Sequence, residues 1–77
     1  MDYDNWLEEA KKRTEKLLTG TIFILKDLFQ GVEWNRLEKG QKLHFGRVFK
    51  NAVIHGEIPK VCFLKKAENN SAQYKKY

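Results

Sequence analysis

Leu7, Ala10, Thr14, Leu17 and Leu18 recur at steps of three and four, with Trp6 beside them and Glu and Lys filling the other positions. That is the period of an amphipathic helix. Asp4 or Asn5 can cap it, and Glu8 follows Asn5 at capping-box spacing. Glu8–Lys12 and Glu9–Arg13 are favourable pairs four apart, and Gly20 is the expected stop. The pattern then changes. Thr21-Ile22-Phe23-Ile24-Leu25 is short, β-branched and aromatic, which predicts a strand. Residues 26–29 predict a helical turn, capped by Asp27 and ended by Gly31; residues 33–37 predict another that buries Trp34 and Leu37.

Residues 39–55 predict a long helix. Phe45, Val48, Phe49, Ala52 and Val53 form its apolar stripe, while Lys42, His44, Arg47, Lys50 and Asn51 fall on the opposite side or its edges. Gly46 lies mid-helix, where Gly costs about 1 kcal/mol relative to Ala, and close approach of the Trp34 ring is the expected reason for it. Gly56 is the next stop. Residues 58–66 read as a strand with Pro59 near its start, where a missing N–H is tolerated. Residues 68–71, Glu-Asn-Asn-Ser, have turn chemistry, and residues 72–77 return as a second strand. The order is that of an α+β winged helix-turn-helix: helix, short strand, short helix, long helix and two-stranded wing. One domain spans residues 1–77, with fraying expected at 1–4 and 75–77.

Composition supports a folded chain: 42% hydrophobic and 13% aromatic residues over 77 positions. Cys62 stands alone, so no intrachain disulfide can form, and it reads as a small buried hydrophobe on a strand. Neither a signal-peptide pattern nor an apolar stretch near the roughly 20 residues of a membrane span is present, which predicts a cytoplasmic protein without a membrane partner. His44 and His55 are eleven apart with no second Cys or carboxylate cluster beside them, so no metal is expected. No nucleophile–base constellation and no phosphate loop is visible, and the expectation is a non-enzymatic protein without a cofactor.

Charge changes the picture most. Residues 1–38 carry six basic and eight acidic residues, a net of −2; residues 39–77 carry nine basic and two acidic, a net of +7. The basic half is the long helix plus the wing, which points to a polyanion. Arg47 and Asn51, four apart, could contact phosphate or read base edges. Lys60, Lys65, Lys66, Lys75 and Lys76 flank the wing, although edge lysines also guard strands against aggregation. Tyr74 could offer a stacking platform for a base or pack its ring on the core; Tyr77 has the same two readings, stacking or a frayed end. Asn69, Asn70, Ser71 and Gln73 could hydrogen-bond phosphates, or serve the turn alone. The candidate DNA-binding set is thus Lys42, His44, Arg47, Lys50, Asn51, Lys60, Lys65, Lys66, Asn70, Gln73, Tyr74, Lys75 and Lys76.

Phe23-Ile24-Leu25-Lys26-Asp27-Leu28-Phe29, followed by Gly31, Trp34, Leu37, Gly40, Gly46, Phe49 and Val53, resembles the signature of a family of small domain-of-unknown-function proteins. The resemblance covers residues 21–53 well and the hairpin more loosely, through Asn70 and Tyr74. It implies a single-domain winged helix of bacteria and their mobile cassette elements. Some members are encoded beside replicative helicases and polymerases and are associated with single-stranded DNA. The expectation that follows is a single-stranded-DNA-binding protein with little sequence choice. It would act in replication or maintenance of a mobile element, as a monomer or weak dimer, with a helicase or polymerase as possible protein partners. Two alternatives stand beside it. One is a duplex-binding winged-helix regulator, for which Arg47 and Asn51 speak and the short second helix does not. The other is an adaptor or inhibitor that docks on a protein.

Overall fold

The computed structural model describes residues 2–29, 31–66 and 72–77, Lys66 by its backbone alone. The first amphipathic segment forms α1 (Tyr3–Glu15). Its cap is Asp2 rather than Asp4 or Asn5: the Asp2 carboxylate accepts from the Asn5 N–H at 3.2 Å. Ala10 and Thr14 are buried, and the Thr14 hydroxyl donates to the Lys11 carbonyl at 2.7 Å, so a polar side chain sits in the core without a stranded donor. The helix stops before the end of the expected stripe, which leaves Leu18 81% exposed.

After α1 come β1 (Ile22–Ile24), α2 (Leu25–Leu28) and α3 (Val32–Asn35). Asp27 is not the cap of α2. Its carboxylate reaches back from the third helical position to the Ile24 N–H at 3.1 Å. Gly31, at φ +73°, makes the bend between the two short helices, a conformation that favours glycine. Leu37 is buried as expected, but Trp34 is only half-buried.

The long helix α4 (Lys39–Ile54) buries Phe45, Phe49, Ala52 and Val53. At its end the Gly56 N–H donates to the Val53 carbonyl and the Glu57 N–H to the Ala52 carbonyl, at 3.1 and 2.8 Å. These two bonds close a Schellman motif on Gly56, at φ +76°. The chain then turns through Ile58, Pro59 and Lys60 into β2 (Val61–Lys66), which starts three residues later than expected.

The last strand, β3 (Ala72–Lys76), lies between the other two in an antiparallel sheet ordered β1-β3-β2. The two-stranded wing is therefore corrected to a three-stranded sheet. Phe23 pairs with Tyr74 and Ile22 with Lys75, while Cys62 faces Lys75 and Phe63 faces Tyr74 from the other side. A bulge falls between Phe63 and Lys65. Main-chain bonds tie the last residues at both flanks. The Lys76 N–H donates to the Thr21 carbonyl at 2.9 Å, and the Tyr77 N–H to the Lys60 carbonyl at 2.8 Å. The protein is thus α+β, four helices and a three-stranded sheet among the described residues.

Aromatic rings join the layers. Trp6, Phe29 and Phe45 meet between α1, α2 and α4, with centroids 4.9 to 5.8 Å apart. Tyr74 meets Phe49 of α4 edge-on at 4.9 Å, and Phe23 and Phe63 of the flanking strands at 5.8 and 5.9 Å. Such offset and edge-to-face contacts add to the area that each ring removes from water. No described helix is long and apolar enough to cross a membrane.

Candidate nucleic-acid interface

The 3.6-residue period of α4 determines what it offers outward. His44, Arg47 and Asn51 are exposed along its outer face, with Leu43 and Ile54 beside them. Lys42 and Lys50 are half-buried at its edge, because each lays its stem along a ring. The Lys42 Nζ stands 5.8 Å from the centroid of Trp34, and the Lys50 Nζ 4.5 Å from that of Phe63. Arg47 and Asn51, one turn apart, do share a surface as expected.

His44 sits differently from its neighbours. Its ring is 4.4 Å from that of Tyr3, in a groove that Asp2, Asp4 and Val48 also line. The acidic start of α1 therefore borders it, which makes this edge of α4 a poorer seat for a phosphate than the Arg47 edge.

The period of two in β3 sorts the hairpin residues. Gln73 and Lys75 point to the outer side of the sheet; Tyr74 and Lys76 point inward. Tyr74 is 1% exposed and is a core residue, so its stacking reading is corrected: no base can reach that ring in the folded chain. Burial also pushes its hydroxyl pKa up to about 12. Lys76 is 7% exposed and withdrawn from the surface, across from Val61. Lys65, Gln73 and Lys75 face away from the core and hence from α4. Lys60 is exposed in the turn before β2 at φ +59°, the one described non-glycine residue with positive φ. Lys66 continues the β2 ladder opposite Ala72. Asn70, with Asn69 and Ser71, lies outside the described residues.

The candidate set is therefore divided. Lys42, Arg47, Lys50 and Asn51 belong to α4, whereas Lys65, Gln73 and Lys75 lie on the far side of the sheet. Cys62 is on that outer side too and is half-buried rather than buried.

Two features were not foreseen. Phe63 reads in sequence as an ordinary strand residue, and its contact with Lys50 depends on how β2 crosses α4. The second is Arg13. Besides Glu9, it contacts Glu33 of α3 at 3.0 Å, donates to the Leu28 carbonyl at 2.6 Å and stands 4.7 Å over Phe29. Its pKa is raised, first by the hydrogen bond to Glu33 and then by that to Glu9, against a partial burial that lowers it. These are the only ion pairs among the described residues, so Lys42, Arg47, Lys50, Lys60, Lys65 and Lys75 have no carboxylate partner among them.

Gly46 also departs from expectation. A Cβ built there meets nothing within 4 Å, so Trp34 does not press on it. The ring packs instead near Phe29, with centroids 6.5 Å apart.

No curated protein and no solved structure matches the chain. A family model does match, over residues 8–76, from the first turns of α1 to the end of β3. The chain belongs to the family described as Domain of unknown function (DUF1413).

Proposed function

We propose that this chain is a non-enzymatic nucleic-acid-binding protein of the winged-helix type, acting on single-stranded DNA with little sequence choice. One observation carries the reading: the half of the chain with net charge +7 presents cations on α4 and the hairpin that no described carboxylate neutralises. Unpaired lysines and arginines on a folded surface displace counterions from a phosphate backbone, and this term needs no base reading. Arg47, Lys42 and Lys50 are the residues that supply it on α4. The element order supports the winged-helix assignment, with α2 and α3 together in the place of its second helix and β2–β3 in the place of its wing. The resemblance of residues 21–53 supports the single-strand preference and a setting in replication or maintenance of a mobile element, with replication proteins as partners.

A duplex-binding regulator is the second reading, favoured by Arg47 and Asn51 exposed one turn apart on α4. Fluorescence anisotropy with labelled single-stranded and duplex DNA of equal length, across a salt series, separates the two. The expected result is tighter single-strand binding whose log affinity falls with log salt by roughly 0.7 per phosphate contacted. Tighter duplex binding installs the regulator. No binding to either DNA at low salt overturns both and leaves a protein partner.

A further inference from the structure

Lys42, Gly46 and Lys50 are four residues apart in turn, so they form one row along α4, about 12 Å from end to end. The middle of the row is a notch, since a Cβ on Gly46 would meet nothing within 4 Å. Each end holds a half-buried aromatic ring under an ammonium: Trp34 under Lys42 and Phe63 under Lys50. The two rings come from different elements, α3 and β2, and only the fold sets them at the two ends of one helix row.

We infer that Trp34 and Phe63 are two stacking subsites for unpaired nucleobases, with the Gly46 notch as the passage of the strand between them. The inference rests on the single-stranded-DNA reading above and adds where the bases go. Partly exposed cation–π contacts are weaker than the stacking of a base on an aromatic side chain. An arriving base therefore displaces the ammonium from the ring. The freed lysine stays within reach of the phosphate attached to that base, so its charge is used twice: it shields the ring in the free protein and neutralises the backbone in the complex. Glycine at position 46 leaves room for sugar and phosphate against the helix, at the helix-propensity cost noted earlier. Tyr74, the stacking ring expected from sequence, supports this surface from beneath, edge-on to Phe63.

The test compares oligothymidylate with an abasic strand of the same length, which carries the same phosphates and no bases. Wild-type protein should bind oligothymidylate roughly 5- to 150-fold tighter per stacked base. Trp34→Leu and Phe63→Leu should each reduce that ratio and leave abasic affinity unchanged. Lys42→Ala and Lys50→Ala should weaken both strands alike. Because the ring variants could disturb the fold, Gly46→Leu provides a second arm: the added Cβ meets nothing within 4 Å, so the melting temperature should not fall while the ratio does. Equal affinity of wild type for the two strands, or variants that leave the ratio intact, overturns the subsites alone. Failure of both strands to bind at low salt overturns the single-strand reading and the subsites with it.

Discussion

Replacing Gly46 by alanine should stabilise this protein. Gly46 lies in the eighth position of a sixteen-residue helix, far from either cap. There glycine costs about 0.8–1.0 kcal/mol relative to alanine, because its unfolded backbone has more freedom to lose. That gain is normally offset where the new methyl meets a neighbour. Here the nearest non-local atom is more than 4 Å from the added Cβ, so there is no clash to subtract. The expected change is close to the full propensity difference, about +1 kcal/mol. For a domain of this size that raises the melting temperature by roughly 4–8 °C. Calorimetry with a check that calorimetric and van't Hoff enthalpies agree would measure it. Gly56→Ala is the matched control: its φ of +76° should cost about 1–2 kcal/mol and lower the melting temperature. A Gly46→Ala protein with an unchanged or lower melting temperature would refute the open notch, and the sequence-based packing of Trp34 against Gly46 would return.

Two further outcomes follow from groups described above. Arg13→Lys keeps the charge but loses the planar fork that serves Glu9, Glu33 and the Leu28 carbonyl together. Because the guanidinium is partly exposed, the expected loss is about 1–2 kcal/mol in urea denaturation; a loss within error would show that these contacts do not hold α1 to α2 and α3. Tyr74 has its hydroxyl pKa raised from 10.0 to about 12, so the fold favours the neutral form. Its contribution is fully present below pH 10 and is lost as pH rises towards 12, by about 2–3 kcal/mol for two units. The unfolding free energy of wild type should therefore fall relative to that of Tyr74→Phe over that window; parallel curves would contradict the raised pKa. Tyr74→Ala is unsuitable for either purpose, since deleting a buried ring costs about 3–5 kcal/mol, comparable to the whole net stability of so small a domain.

α4 was legible almost to the residue, because Phe45, Phe49, Ala52 and Val53 repeat over a long window and Gly56 closes it. Short elements were legible in kind but not in partner. Nothing local to Ile22-Phe23-Ile24 says that it pairs with residues 73–75, some fifty positions away, and that long-range pairing is what turns the expected two-stranded wing into a three-stranded sheet. The roles of Tyr74 and Lys76 were within reach. Alternation along Ala72–Lys76 puts both on one face, and only the inward face can hold a ring shared by Phe23, Phe49 and Phe63. The charge split located the basic elements, yet it could not show that Lys65 and Lys75 face away from Arg47. That depends on sheet register, and register depends on the bulge after Phe63.

The sheet order β1-β3-β2 places the last-made strand in the middle. A ribosome releases β1 and β2 first, and neither can pair with the other in this topology. Both wait, with their ladder groups open, until residues 72–76 emerge. Tyr74 arrives at the same moment and brings the ring that α4 and both flanking strands pack against. The sheet and the part of the core around Tyr74 therefore close together, whereas the Trp6–Phe29–Phe45 cluster needs no residue of β3. Any stop codon before position 72 should yield a chain that never acquires the fold, with two unpaired strands exposed to chaperones and proteases instead.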